Sequence, residues 1–286
     1  MFLDDIALWW QPIVAGFDPA DKDNWLDDSG HWAHHPVVAC QIQLRHKQGM
    51  DWDTWWAQQR AQGTLDQAQG QMEVCLIPHM RAMARAHRWH IPLQPGTLPM
   101  VRDLYTAWPA EFQALQYQWV YDVPVDDPPN ADLLRELLQI RNQWDQDGWP
   151  MLAGVHVGRG EPLSRALAER LNQEDWGVLL LDPSVVDTLT YADFRHPGHN
   201  PDLDGLWTFM QAVRPDLPVV ATGLTRVDQW HTVRACMIRY VQGPLYMPPH
   251  SLDLFPAGGL GDISEDIAIP ANDAVAQYGL HFCAHR

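Results

Sequence analysis

The chain has 286 residues, enough for one large domain or two modest ones with a sizeable core. Acids outnumber bases 36 to 19, a net charge of −17, and only Lys22 and Lys47 are lysines. Such a balance excludes a grip on a nucleic-acid backbone, which needs clustered positive charge, and its expected role is solubility. No apolar run is long enough to span a bilayer, so no membrane partner is expected. The opening Met-Phe-Leu-Asp-Asp lacks the basic start of a signal peptide. Cys40, Cys75, Cys236 and Cys283 are far apart, with no Cys-x-x-Cys pair. Reduced thiols in a cytoplasmic protein are therefore expected, rather than a zinc site or a disulfide framework.

Residues 6–14, Ile-Ala-Leu-Trp-Trp-Gln-Pro-Ile-Val, form an apolar aromatic run of strand length. Pro12 predicts a strand end or an irregularity there. Trp9 and Trp10 would point to opposite faces of the strand, one inward and one toward a helix layer. A Gly/Asp/Pro-rich connection follows over 15–36, then a second strand over 37–44. Residues 52–88 read as helix with a break at Gly63, and Trp55 and Trp56 are core or interface residues at its start. Strands follow at 89–93 and 118–123, separated by a helix over 98–115. Asn130 caps a helix over 131–145, whose leucines make an apolar stripe. Strands at 151–157, 177–182, 217–221 and 238–242 then alternate with helices at 162–172, 203–213 and 227–237.

Eight continuous aliphatic strands alternating with amphipathic helices imply a parallel sheet covered by helices. A (β/α)8 barrel fits the count, with a doubly wound open sheet as the alternative. Residues 1–250 would hold the barrel and 251–286 an appendage or tail. His31, His34 and His35 have the spacing of two imidazoles on one helical face, but no Cys or second cluster lies close in sequence. His196 and His199 flank a turn. Gly158-Arg159-Gly160 lacks the third glycine of a dinucleotide loop.

Several segments, in order, resemble EAL domains, the barrel domains that hydrolyse cyclic di-GMP. Gln11-Pro12-Ile13-Val14 resembles the family's opening strand. Gln41-Ile42-Gln43-Leu44-Arg45 stands where the family has Glu-Ala-Leu-Leu-Arg. Val155-His156-Val157-Gly158-Arg159-Gly160 stands at its Asp-Asp-Phe-Gly-x-Gly loop, and Leu179-Leu180-Leu181-Asp182 at its Ile-Lys-Ile-Asp. Val220 to Thr225 resembles Val-Ala-Glu-Gly-Val-Glu, and Val241-Gln242-Gly243 with Pro248 and Pro249 resembles the closing motif. The resemblance runs from residue 6 to residue 249. It implies a modified TIM-type (β/α)8 barrel of the EAL domain type.

It also implies two divalent cations held by oxygen ligands at the strand ends, which here are largely replaced. The first Glu is Gln41. The Asn after the third strand falls at Pro92, and the fourth-strand Glu at Val120, or at Asp122 if the register slips by two. The paired Asp are Val155 and His156, and the water-assisting lysine is Leu180. The sixth-strand Glu is Thr222, and the second Glu of that motif is Thr225. Loss of phosphodiesterase activity is therefore expected, with no metal and no cofactor. Gln11, Arg45, Asp182 and Gln242 match family positions that contact the dinucleotide, or serve as structural partners at the barrel mouth. The expectation is a catalytically inactive regulator that binds a protein partner, such as a transcription regulator or a signalling enzyme. A non-catalytic cyclic di-GMP receptor is the alternative, and new chemistry around Asp122 and His156 a third. The resemblance also implies a homodimer, although the altered loop at Val155 to Arg159 changes the family interface.

Overall fold

The computed structural model describes residues 6–16, 37–46, 50, 52–76, 79, 88–92, 94, 97, 103, 107, 119–124, 139, 142, 152–158, 162–173, 176–189 and 201–254. The eight predicted strands are all present: β1 (Ile6–Ala15), β2 (Val37–His46), β3 (Trp89–Pro92), β4 (Trp119–Pro124), β5 (Leu152–Val157), β6 (Val178–Leu181), β7 (Val219–Ala221) and β8 (Tyr240–Val241). From β2 to β8 each strand pairs in parallel with the next. β1 pairs β2 on one edge and β8 on the other, which closes the sheet into a barrel. Both pairings of β1 are antiparallel, a departure from the all-parallel sheet that alternation of strands and helices suggests. Alternation of apolar positions marks a strand's faces and not its direction, so the pattern alone does not distinguish the two settings.

Pro12 stays within β1, opposite Cys40, and the irregularity comes one residue later, between Ile13 and Val14. The Cys40 N–H donates to the Arg88 carbonyl at 2.9 Å, away from β1. Pro12 and Cys40 are thus a non-hydrogen-bonded pair, and the missing N–H of Pro12 faces the other edge of β1. That edge is paired only at Val14 and Ala15, by β8, and at Trp9 and Trp10, by a short β9 (His250–Ser251). Pro12 falls in the gap, so it breaks no ladder.

The described helices are α1 (Trp52–Gln62), α2 (Leu65–Leu76), α3 (Arg165–Leu171), α4 (Pro183–Asp187), α5 (Pro201–Ala212) and α6 (Val227–Ala235). The predicted break at Gly63 separates α1 from α2, with Gly63 at φ +69°. Ser164 caps α3 by accepting the Leu167 N–H at 3.2 Å. Positions 103, 107, 139 and 142 are helical, as expected for the stretches 98–115 and 131–145, whose other residues lie outside the described ones. So do His31, His34, His35, His196, His199, Arg159, Gly160 and residues 255–286. Residues 250–254, at the predicted boundary of barrel and tail, run along β1 as β9 and a short 3-10 turn.

Strand alternation sorts the core into two layers. Val155, Val157, Leu179, Leu181 and Ala221 join the helix residues Leu167, Val186, Leu206 and Phe209 in the outer core. Ile13, Ala39, Val178, Leu180 and Val220 form a separate inner cluster inside the barrel. Trp10 is buried in the outer core, while Trp9 takes the inward parity of Ile13, as predicted for the pair. Trp55 and Trp56 are both buried in the outer core, with ring centroids 4.7 Å apart, so they pack rather than extend an exposed patch.

Candidate functional site

The C-terminal ends of the parallel strands form the mouth of the barrel, where barrels of this type carry their chemistry. On β1 and β2, Gln11 stands directly opposite Gln41, Trp9 opposite Gln43, and Ala7 opposite Arg45. All share the inward face of Ile13 and Ala39, so this column rises from the inner core to the rim. Gln242, just past β8, completes a cluster of four side-chain amides. The Oε1 of Gln11 accepts from Gln242 Nε2 at 2.7 Å and from Gln43 Nε2 at 2.8 Å. Gln242 Nε2 also donates to Gln41 Oε1 at 2.8 Å. Gln11 Nε2 donates to the Met247 carbonyl at 2.7 Å. Gln11 and Gln242 are buried, so their amides are held by protein partners in place of water.

Above the amides, the Arg45 guanidinium carbon lies 4.6 Å over the centre of the Trp9 ring, a cation–π pair at the exposed rim. The sequence points to Gln11, Arg45 and Gln242 but passes over Gln43 and Trp9. Their signal was the period-two pattern Gln41-x-Gln43-x-Arg45, which puts three polar side chains on one strand face.

Asp182 lies apart from this group in function. Its Oδ1 accepts from the Ser184 N–H at 2.9 Å and the Ser184 hydroxyl at 2.6 Å, capping α4 ahead of Pro183.

The positions matched to metal ligands have other uses. Val155 is fully buried in the outer core. His156, next along β5, has the opposite parity and registers with Leu180 of β6, a fully buried member of the inner cluster. The Thr222 hydroxyl donates to the Leu181 carbonyl at 2.6 Å. Thr225 donates its N–H (2.9 Å) and its hydroxyl (3.2 Å) to Gln229 Oε1, which also accepts the Arg226 N–H at 2.9 Å and so caps α6. The Pro92 carbonyl accepts from Gln69 Nε2 of α2 at 3.3 Å. Gln69 also donates to Glu73 at 3.1 Å, and both are buried. The backbones of Val120 and Asp122 register with His90 and Pro92 of β3, whereas their side chains lie outside what is described.

A pair of hard cations needs several anionic or neutral oxygen donors converging at the strand ends. Val155 and Leu180 offer no oxygen, the Gln41 amide oxygen already accepts from Gln242, and the Thr222 and Thr225 hydroxyls are given to the Leu181 carbonyl and the Gln229 amide, so these positions do not fit that need. Among the described residues, no three His, Cys, Asp or Glu side chains gather as a metal set. Nor is any described helix long and apolar enough to cross a membrane.

Two glycines fix the mouth's backbone. Gly223, at φ +80°, would press a β-carbon to 2.6 Å from Pro183, and one on Gly243 would run into the Leu224 backbone. Behind the mouth, burial alone pushes the Tyr246 phenol well above its usual range, and the Cys236 thiol on the outer layer up to about 12. Neither is poised to ionise near neutrality.

No protein-family model matches the sequence, and no curated protein matches it either. Solved structures do. The PaMucR phosphodiesterase in complex with c-di-GMP is similar over 87% of this chain and 98% of its own, at 16% identity and a TM-score of 0.61. The Xanthomonas citri FimX EAL domain in complex with c-diGMP is similar over 89% and 92%, at 13% identity and a TM-score of 0.59. Klebsiella pneumoniae BlrP1, in a manganese and cyclic di-GMP complex, gives 18% identity and a TM-score of 0.60, but this chain spans only 56% of it. Fold similarity at these identities, with a sheet closed by β1 between β2 and β8, identifies the architecture. The chain folds as an EAL-type modified (β/α)8 barrel.

Proposed function

We propose that this protein is a catalytically inactive EAL-type barrel that acts in bacterial cyclic di-GMP signalling by binding a protein partner. The observation that carries this reading is the amide cluster. The family's first metal-binding Glu is Gln41, and its amide oxygen already accepts from Gln242. Phosphodiester hydrolysis on this fold needs cations to activate water and to stabilise the leaving oxygen. Among the described residues, no three His, Cys, Asp or Glu side chains gather to hold them. The positions matched to dinucleotide contacts are likewise engaged within the protein: Gln11 and Gln242 with each other, Asp182 at its helix cap, Arg45 on Trp9. A barrel that keeps its scaffold and occupies its own site with internal bonds has its outer surface left as the means to act.

A second reading rests on Arg45. The residue is exposed and its guanidinium carbon lies 4.6 Å from the centre of the Trp9 ring, and a guanidinium can take a phosphate bidentately. With this feature the protein would be a cyclic di-GMP receptor, as the c-di-GMP complexes of its structural neighbours suggest. Titration calorimetry with cyclic di-GMP, with and without magnesium, separates the two. The partner-binding reading expects no heat at millimolar ligand. Micromolar binding that Arg45→Ala abolishes would replace it with the receptor reading.

A further inference from the structure

The end of the barrel opposite the mouth is open. TIM-type barrels ordinarily fill their interior with layers of bulky side chains. Here three of the described inward residues toward the N-terminal ends of the strands are short: Ala39, Val178 and Val220. They leave a cavity of about 650 Å3 that reaches the surface between the starts of β2, β3, β6, β7 and β8. Its floor is aliphatic. Its walls carry His90, with the inward parity of Gln41 and buried to 2% exposure, and Tyr240, and its rim carries the exposed Arg88. Arg239 stands beside the opening, its guanidinium carbon 5.5 Å over the Tyr240 ring. No acidic residue lines the cavity among the described residues. In a chain of net charge −17, an arginine at a rim whose described lining holds no acid is a local site for an anion.

We infer that this lower cavity is a binding site, separate from the mouth, for a small carboxylate with an apolar tail. The volume lies in the range of small-molecule pockets, about 300–1,000 Å3. The aliphatic floor gains from covering an apolar tail, at roughly 25 cal/mol per Å2 buried. The Arg88 guanidinium offers a carboxylate two parallel N–H donors at the rim. Both ligand halves are required: a free inorganic anion would leave the floor bare, and a neutral alkane would leave the arginines without a partner. The inference does not depend on the proposed function, because its residues lie at the other end of the strands.

The test is titration calorimetry of the full chain with octanoate, and with 1-octanol as the uncharged match. Octanoate is expected to bind saturably, at least about tenfold more tightly than 1-octanol. Arg88→Glu, an exposed change, should remove most of that advantage and leave 1-octanol unaffected. Ala39→Leu, which fills the floor, should weaken both ligands, with a thermal melt to confirm that the variant folds. Saturating cyclic di-GMP should not compete. Absence of saturable binding by octanoate, equal affinity for the two ligands, or indifference to Arg88→Glu overturns the inference.

Discussion

The mouth of the barrel has two sides, and they treat their strand ends differently. On the side built by β1, β2 and the end of β8, polar side chains persist and satisfy one another: Gln11, Gln41, Gln43 and Gln242. On the side built by β5, β6 and β7, Leu180 is aliphatic and fully buried, Thr222 is bonded to the Leu181 carbonyl, and His156 is a half-buried polar side chain. One side carries amides that bond one another. The other has an aliphatic side chain at Leu180 and a hydroxyl given to the backbone at Thr222. The difference shows that strand ends hold polar groups where those groups can satisfy one another, and aliphatic ones where a side chain can fill the lumen.

The largest expected effect comes from restoring charge to the aliphatic side. Leu180→Lys returns the residue that the family resemblance implies, but it places an ammonium among Ile13, Ala39 and Val220. An unpaired buried charge should cost about 4 kcal/mol or more in denaturant unfolding. Tolerance within about 1 kcal/mol would mean that a compensating carboxylate lies nearby, and would dissolve the contrast between the two sides. On the amide side, Gln11→Leu strips partners from Gln43, Gln242 and the Met247 carbonyl at once. A loss of about 3 kcal/mol is expected, since each buried group left unpaired costs roughly 1–3 kcal/mol. A neutral outcome would show that the amides find water and that the cluster is not a structural unit.

The smallest effect concerns pH. None of the four amides titrates, so this side of the mouth should add no pH dependence. His231 on α6 should add some. Burial, and then the nearby Arg234, hold its imidazole below the ordinary range, against a weaker opposing pull from Asp228. The unfolded chain therefore takes up this proton at a higher pH than the native protein does. Stability is fully present above the unfolded pKa of about 6.5 and declines as pH falls below it. Unfolding measured between pH 7.5 and 5.5 should show a His231→Gln variant losing less stability on acidification than the parent, by under about 1 kcal/mol. A parent and variant with the same pH profile would contradict the assignment.

Much of the barrel was legible in the sequence. The aliphatic runs at 178–181 and 219–221 and the 3.6-residue stripe of α5 carry the strand and helix assignments through packing alone. The antiparallel setting of β1 was not legible from periodicity, because strand direction leaves no mark on alternation. For the site, the Gln41 and Leu180 replacements could be read position by position, but the bonds could not. Nothing in the spacing of residues 11, 41, 43 and 242 says that one amide oxygen accepts from two others. Asp182 illustrates the opposite case. The sequence Asp-Pro-Ser is a helix-start signature, and its capping role was accessible from local chemistry.

The account's central claim is that this EAL-type barrel has lost hydrolysis at its mouth. The most direct test is turnover of cyclic di-GMP by the purified chain with magnesium or manganese, followed by separation of the linear dinucleotide product. The account predicts product at the level of the buffer control, and no more from Gln41→Glu, because one restored carboxylate cannot hold two cations. Metal-dependent turnover above that control, retained through repurification, would contradict it.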